Sequence, residues 1–267
     1  MSNSNPKVPP YTVFKKIHRV ETIESTNAAL KELYQQGAKI GTVIVAETQT
    51  DGRGRGDHKW ASPKGGVYLS ALLTPIEPKR LTDLPIVAGV GIVQAVREYL
   101  PKSLEVGVKW PNDCLLNWKK VGGILCEAIP GDPHGAAVVG IGINVNLTPE
   151  QLEPFVSKAF SATSMLVECP GAEFRVERVV DIVLRKLENV YQSYLQMGFA
   201  SVQYLWERNC ALVGKKVEIT VSETPGTDAK AVGTFLGIDD QGAMILALGP
   251  GGERRRFVSG ELTCFWR

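Results

Sequence analysis

What this sequence has little of narrows its chemistry. Only three histidines, at 18, 58 and 134, stand among 267 residues. None accompanies a nucleophile-elbow motif, which argues against a Ser-His-Asp hydrolase. Five cysteines, at 114, 126, 169, 210 and 264, include no C-x-x-C pair. The odd count, in a chain with no secretory signal, predicts reduced, mostly buried thiols in a cytoplasmic compartment, and no metal-ligand set is assigned. Net charge is small: the formal value of +2 excludes wholesale binding to nucleic acid or a membrane, so any basic site must be local. Long apolar runs are missing too. The N-terminal "MSNSNPKVPP" lacks the core of a signal peptide and is expected to be a disordered tail over residues 1–10. The most apolar stretch, "IVAGVGIVQAV" (86–96), is too short to span a bilayer.

What is present is an ordinary globular composition, 44% hydrophobic and 22% charged, with strand-like and helix-like segments mixed and no internal repeat. "TVFKKIHRV" (12–20) predicts a strand. "STNAALKELYQQG" (25–37) predicts a helix capped at Ser25 or Thr26 and stopped by Gly37. "TVIVAET" (42–48) and "GVYLSALL" (66–73) are β-rich, and a buried helix follows Pro85. Four strands are expected at 105–110, 114–118, 121–129 and 136–146, and the short "WKK" and "PGDPHG" connections predict antiparallel hairpins. Residues 173–196 keep helical apolar spacing, and "ASVQYLWERN" closes the unit. Beyond about residue 212 only short strands separated by glycine turns remain, the pattern of a small barrel or sandwich. The expected division is therefore 11–211 and 212–267.

Three stretches carry chemistry. "DGRGRGDHKW" (51–60) puts forked guanidinium donors on glycine-rich backbone, suited to phosphate or carboxylate oxygens. It is not a Walker loop, because no Gly-Lys-Ser/Thr follows, and not a Rossmann turn, because its glycines are spaced G-x-G-x-G. "VKWPNDCLL" (108–116) places Lys109 at a strand end that Pro111 terminates. "GIGINVN" (140–146) strips side chains from one strand face, where a flat ligand could lie. Taken singly, the first is as readily a solvated surface loop, the second more readily an ordinary strand-end lysine with a snorkelling head, and the third equally a bulge or close strand–helix packing.

Taken together they resemble a family. "ESTN" (24–27), "AETQTDGRGRGDHKW" (46–60), "KWPND" (109–113), "KKVGGILCE" (119–127), "GIGINVN" (140–146) and the C-terminal "SGELT" (259–263) occur in the order and spacing of biotin–protein ligases, from about residue 15 onward. The resemblance implies an α+β fold: a mixed, class II synthetase-like sheet flanked by helices, then a small SH3-like β-barrel. It implies an ATP-dependent ligase that joins biotin to ATP, with Mg²⁺, as biotinyl-5′-AMP. Biotin then passes to a lysine of a biotin carboxyl carrier domain. By resemblance Lys109, Arg53 and Arg55 serve catalysis. Ser25, Thr26, Asn27, Gln49, Gly52 and Gly54 surround biotin, with Gly140 and Gly142 as floor and Trp110 as wall. Arg55, His58, Lys59, Trp60, Lys109, Asn144 and Phe160 serve the nucleotide. The chemistry asks for such cations: two unit charges about 4 Å apart repel by roughly 4 kcal/mol at an effective dielectric near 20.

The sequence departs from the family box Gly-Arg-Gly-Arg-x-Gly-Arg-x-Trp at two positions. Asp57 stands for a glycine, and His58 for an arginine that serves the triphosphate. No DNA-binding segment is expected ahead of the catalytic part, and a homodimer through sheet edges is compatible with the fold. Two other readings use the same loop. A lipoate ligase or octanoyltransferase is disfavoured by the complete "GRGR" and "KWPND". An RNA-binding module would want exposed stacking aromatics, whereas Trp60 and Tyr68 adjoin apolar strands.

Overall fold

The computed structural model describes residues 11–56, 58–153, 161–224 and 227–264. The expected tail, Asp57 and Phe160 lie outside these. Strands β1 (Lys16–Ile23), β2 (Thr42–Gln49), β3 (Val67–Leu73), β4 (Val106–Lys109), β5 (Asp113–Leu116), β6 (Lys119–Ala128) and β7 (Ala137–Ile143) form one sheet in the order β1-β2-β3-β7-β6-β5-β4. Only β1 and β2 run parallel, joined across helix α1 (Thr26–Gln35). Every other neighbouring pair is antiparallel, as the short connections predict.

Helix α1 begins where Ser25, with extended backbone, turns its Oγ to accept the Ala28 N–H. It stops before Gly37, whose φ of +94° few other residues adopt. Its Leu30 packs with Ile44, Leu72 and Val138 in a small core on one sheet face. The other face carries the main core. There α2 (Asp83–Tyr99), buried nearly all round, lies between the sheet and the amphipathic α5 (Val176–Met197), after the short α3 (Pro149–Leu152) and α4 (Met165–Glu168).

Several boundaries differ from the sequence reading: the strand expected over 136–146 ends at Ile143, and two other differences have a visible cause. The first strand starts at Lys16, because the Thr12 and Val13 amides donate to the buried Glu188 carboxylate on α5 instead of pairing. The fifth ends at Leu116, because Asn117 and Trp118 take left-handed φ of 46° and 65° and form the turn into β6. Asn117 suits that turn: its amide also accepts from Glu105 N and donates to Glu168.

After α6 (Phe199–Asn209), strands β8 (Lys216–Thr224), β9 (Thr227–Ile238), β10 (Met244–Leu248), β11 (Glu253–Phe257) and β12 (Glu261–Cys264) make an antiparallel sheet in the order β11-β10-β9-β8-β12. This is the small SH3-like β unit read from the sequence. Its apolar face joins the main core, where Trp206 of α6 meets Phe235 at 6.3 Å between ring centroids. No helix among the described residues is long and apolar enough to cross a membrane.

Candidate active site

Strand register assembles the site. One row runs through Ala46, Tyr68, Gly142, Gly123, Asp113 and Lys109 on six adjacent strands. The next holds Ile44, Ser70, Gly140 and Leu125. Residues directly paired across strands share a face. Lys109, 33 positions from Gly142 in sequence, therefore looks onto the same floor, under α1. Two glycines in that floor are there for close approach. A Cβ on Gly140 would lie 2.2 Å from Asn27 Oδ1, and one on Gly142 would lie 2.5 Å from the Trp60 indole.

Over Gly140 the α1 N-terminus builds a polar row. The Asn27 amide nitrogen donates to Glu127 Oε2 (2.6 Å) and to Leu125 O (3.3 Å). Ser70 Oγ lies 2.5 Å from Asn27 Oδ1 and 2.7 Å from Thr26 Oγ1. An amide oxygen can only accept, so the single Ser70 proton belongs to Asn27. Gln49 Oε1 accepts the Thr26 N–H at 2.9 Å, and its Nε2 donates to Ser62 Oγ at 2.7 Å. Gln49 Oε1 also accepts the Thr26 hydroxyl at 3.0 Å. Both Asn27 N–H groups and both Gln49 Oε1 lone pairs are thus engaged, and lone pairs remain on Asn27 Oδ1 and Thr26 Oγ1. Such a row suits a ligand that brings its own N–H donors. Ser25 is buried beside it, and Gly52 closes it, because a Cβ there would meet Trp60 O at 2.2 Å.

Ser70, Ser62 and Glu127 escaped the sequence reading. Glu127 is held by Lys31 Nζ at 2.5 Å as well as by Asn27. Burial alone would push its pKa up; the bonds from Lys31 and Asn27 and the charges of Lys31 and Arg53 outweigh that and hold it below the usual carboxylate range. Glu127→Gln exchanges a charge-assisted bond for a neutral one and frees the Asn27 amide to turn over. Calorimetric titration is expected to show biotin binding about five- to tenfold weaker, the worth of roughly 1 kcal/mol, with ATP binding unchanged.

At the far end of the first row Asp113 lies between two ammonium groups, Lys109 Nζ at 3.1 Å and Lys120 Nζ at 2.6 Å. Burial would raise the Asp113 pKa, but Lys109 and then Lys120 outweigh it and keep the carboxylate ionised, below its ordinary range. Asp113 thus holds two ammonium groups side by side at the end of the row. Lys120 also faces the Trp60 ring, 5.4 Å from its centroid, which links the cluster to the Gly142 floor. Lys120 and Asp113 lie inside the quoted motifs, yet the sequence did not mark their roles.

The Gly-Arg loop is a short ribbon rather than an open coil. Trp60 N donates to Gly52 O, Gly54 N to His58 O, and Arg53 bridges Lys59. Arg55 extends to Asn112 Oδ1 at 3.5 Å and Gly260 O at 3.4 Å, spanning loop, "KWPND" turn and C-terminal sheet. Arg53 and Lys59 each stand 3.5 Å from Asp51, and His58 and Lys59 are exposed. Trp60, expected beside the nucleotide, lies on the Gly142 floor, its Nε1 buried with no hydrogen-bond partner among the described residues. Asn144 is buried and spends its amide N–H on Thr163 O, tying down the segment after residue 160.

One expectation is corrected. Trp110 does not wall the floor: strand alternation points it away from the side chain of Lys109, and its indole N–H donates to Gly242 O of the C-terminal sheet at 3.0 Å.

The chain as a whole is similar to known proteins. Residues 20–144 match the biotin/lipoate A/B protein ligase family, and residues 214–262 match the biotin protein ligase C-terminal domain. The chain is 32% identical over 234 residues to the bifunctional ligase/repressor BirA of Bacillus subtilis, covering 86% of this chain and 69% of that protein. It is 31% identical over 235 residues to the biotin–[acetyl-CoA-carboxylase] ligase of Paracoccus denitrificans, covering 86% of this chain and 93% of that one. A biotin protein ligase from Aquifex aeolicus, solved in complex with biotin and ATP, superposes with a TM-score of 0.75 at 30% identity, over 94% of this chain and 98% of that one. Matched in both its parts, and along most of the length of such relatives, the chain belongs to the biotin protein ligase family.

Proposed function

We propose that the chain activates biotin with ATP and transfers it to a lysine of a biotin carboxyl carrier domain. In the first step a biotin carboxylate oxygen attacks the α-phosphorus of ATP; the bond to the β-phosphate bridging oxygen breaks, and biotinyl-5′-AMP and pyrophosphate form. In the second the carrier amine attacks the acyl carbon, AMP leaves with the anhydride electrons, and the amine sheds a proton. The observation that carries this reading is the in-register row that ends a glycine floor at the two ammonium groups, Lys109 and Lys120, held on Asp113. A carboxylate and a phosphate repel, and fixed cations at their junction favour the transition state most. Thr26 and Asn27 would take the N–H groups of the ureido ring, with Gln49 holding Thr26 in place. Arg53 and Arg55 would close on the carboxyl and phosphate end. Mg²⁺ would arrive with the triphosphate: among the described residues no group of three or more His, Cys, Asp or Glu is placed to hold it, and this ion is commonly bound through substrate phosphates and water. We place the enzyme in the cytoplasm, consistent with the free thiols of Cys114, Cys126, Cys169 and Cys210, and take residues 11–211 as the catalytic part and 212–267 as the SH3-like part.

The test is mass spectrometry of purified protein incubated with biotin, ATP and Mg²⁺, beside a parallel with lipoate. Biotinyl-AMP in the first and no lipoyl-AMP in the second is expected; adenylate from lipoate alone would overturn the reading. The loop makes a second prediction. Glycine backbone loses much entropy on ordering, so the ribbon at 51–58 should tighten only when both substrates engage its arginines and exclude water from the anhydride. Hydrogen exchange there is expected to slow on adding biotin and ATP, and equal rates with and without them would defeat the idea.

A further inference from the structure

We infer that the Asp239–Ala243 turn of the C-terminal sheet positions Lys109 for adenylate formation, by holding the indole of the neighbouring Trp110; this rests on the function proposed above. Three successive carbonyls of the turn accept from the catalytic part: Asp240 O from Arg80 at 2.7 Å, Gln241 O from Thr82 at 3.3 Å and Gly242 O from Trp110 at 3.0 Å. The turn is pre-formed. Asp239 Oδ1 accepts the N–H groups of Gln241 and Ala243, both at 2.9 Å, and Arg256 holds its other oxygen. Gly242 takes a φ of +75° that lets its carbonyl face the indole.

Lys109 needs such an anchor because of where it sits. Strand β4 has four residues and lies at the sheet edge, where it forms a ladder with β5 and, on its outer side, a single bridge between Val108 and Cys210. Lys109 is its last residue, and Pro111 brings no N–H to extend the ladder. Asp113 holds the ammonium, but one short ladder and a single bridge leave the strand end at Lys109 with little backbone support, whereas a buried indole on the next residue fixes that backbone from the opposite face. Trp110 is 1% exposed, so its N–H has no water to fall back on. A shift of about 1 Å in a reacting group can cost up to 10²-fold in rate. Trp110 is therefore a positioning residue acting through Lys109, and the turn is how the C-terminal sheet reaches the chemistry.

The experiment compares Trp110→Phe, Asp239→Ala, their combination and Thr82→Val in the full chain, reading pyrophosphate release and thermal midpoint. Trp110→Phe removes the N–H and keeps an aromatic ring; Thr82→Val removes a bond from the same turn without touching the Lys109 strand. Trp110→Phe and Asp239→Ala are each expected to lower kcat by about tenfold or more, with KM for biotin within about twofold. The double variant should be no slower than the slower single, because both break one path. Thr82→Val should lower the midpoint and leave kcat alone. Wild-type kcat in Trp110→Phe, or an equal loss in Thr82→Val, overturns the inference. If Trp110→Phe does not fold, Asp239→Ala, which leaves the indole in the core, decides by the same criterion. A wild-type protein that makes no biotinyl-AMP would instead remove the function on which the inference stands.

Discussion

Lys109→Ala is expected to slow biotinyl-AMP formation by about 10²–10³-fold, the cost of losing one fixed donor or cation at a developing charge, roughly 3–4 kcal/mol. The reason lies in how the two ammonium groups are held. Lys109 and Lys120 share one carboxylate, Asp113, at 3.1 and 2.6 Å. With both lysines, two fixed ammonium groups meet the incoming carboxylate and phosphate. With Lys120 alone, the one that remains is bound to Asp113. Folding should survive, because Asp113 keeps a partner and no uncompensated buried charge is created. Single-turnover pyrophosphate release reads the loss. Adding Asp113→Asn to the alanine variant removes the anion that holds Lys120 without restoring an ammonium at position 109. Partial recovery in the double variant would show that charge matters as well as position. Full speed in Lys109→Ala itself would mean that the acid and the nucleotide are joined under some other cation.

The fold was legible where periodicity was strong. The β-rich runs at 42–48 and 66–73, the capped helix after Ser25 and the helical apolar spacing of 173–196 all became the elements expected. So were the residues whose types announce chemistry: Thr26, Asn27, Gln49 and Lys109 converge on one face, with Gly140 and Gly142 beneath them. Residues whose meaning is set by a partner strand could not be read. Ser70 sits in an apolar run and looks like an ordinary small strand residue; only its pairing with Gly140 brings it against Asn27. Glu127 looks like a strand-end charge until Asn27 and Lys31 are seen across it. Trp110 was assigned to the wrong face because adjacency to Lys109 in sequence means the opposite direction in a strand. The "DDQGA" turn has the composition of a simple separator, and nothing in that composition reveals that three of its carbonyls are taken by another part of the chain.

Gly140→Ala should do to biotin what Lys109→Ala does to the reaction. The new methyl would stand 2.2 Å from Asn27 Oδ1 and 2.9 Å from its Cγ, well inside any tolerable contact, so strand or side chain must yield. The strand is pinned on both sides, by β3 at Ser70 and by β6 at Leu125, and the cheaper movement is that of Asn27. Asn27 cannot move alone. It gives up Glu127 and Leu125 at its nitrogen and Ser70 at its oxygen, and each buried polar group left unpaired costs about 1–3 kcal/mol. Biotin affinity is therefore expected to fall by roughly 10²-fold, about 2.7 kcal/mol, with ATP binding close to that of the parent. Gly142→Ala provides the contrast. Its methyl would meet the Trp60 indole at 2.5 Å, a side chain carried by the Gly-Arg loop, with no hydrogen bond of its own to lose. The loop can lift, so that variant should lose less biotin affinity and more of the loop's protection from hydrogen exchange. Equal loss of biotin affinity in the two variants would point to a generally crowded floor. Undiminished binding in Gly140→Ala would mean that biotin is recognised without the Asn27 amide.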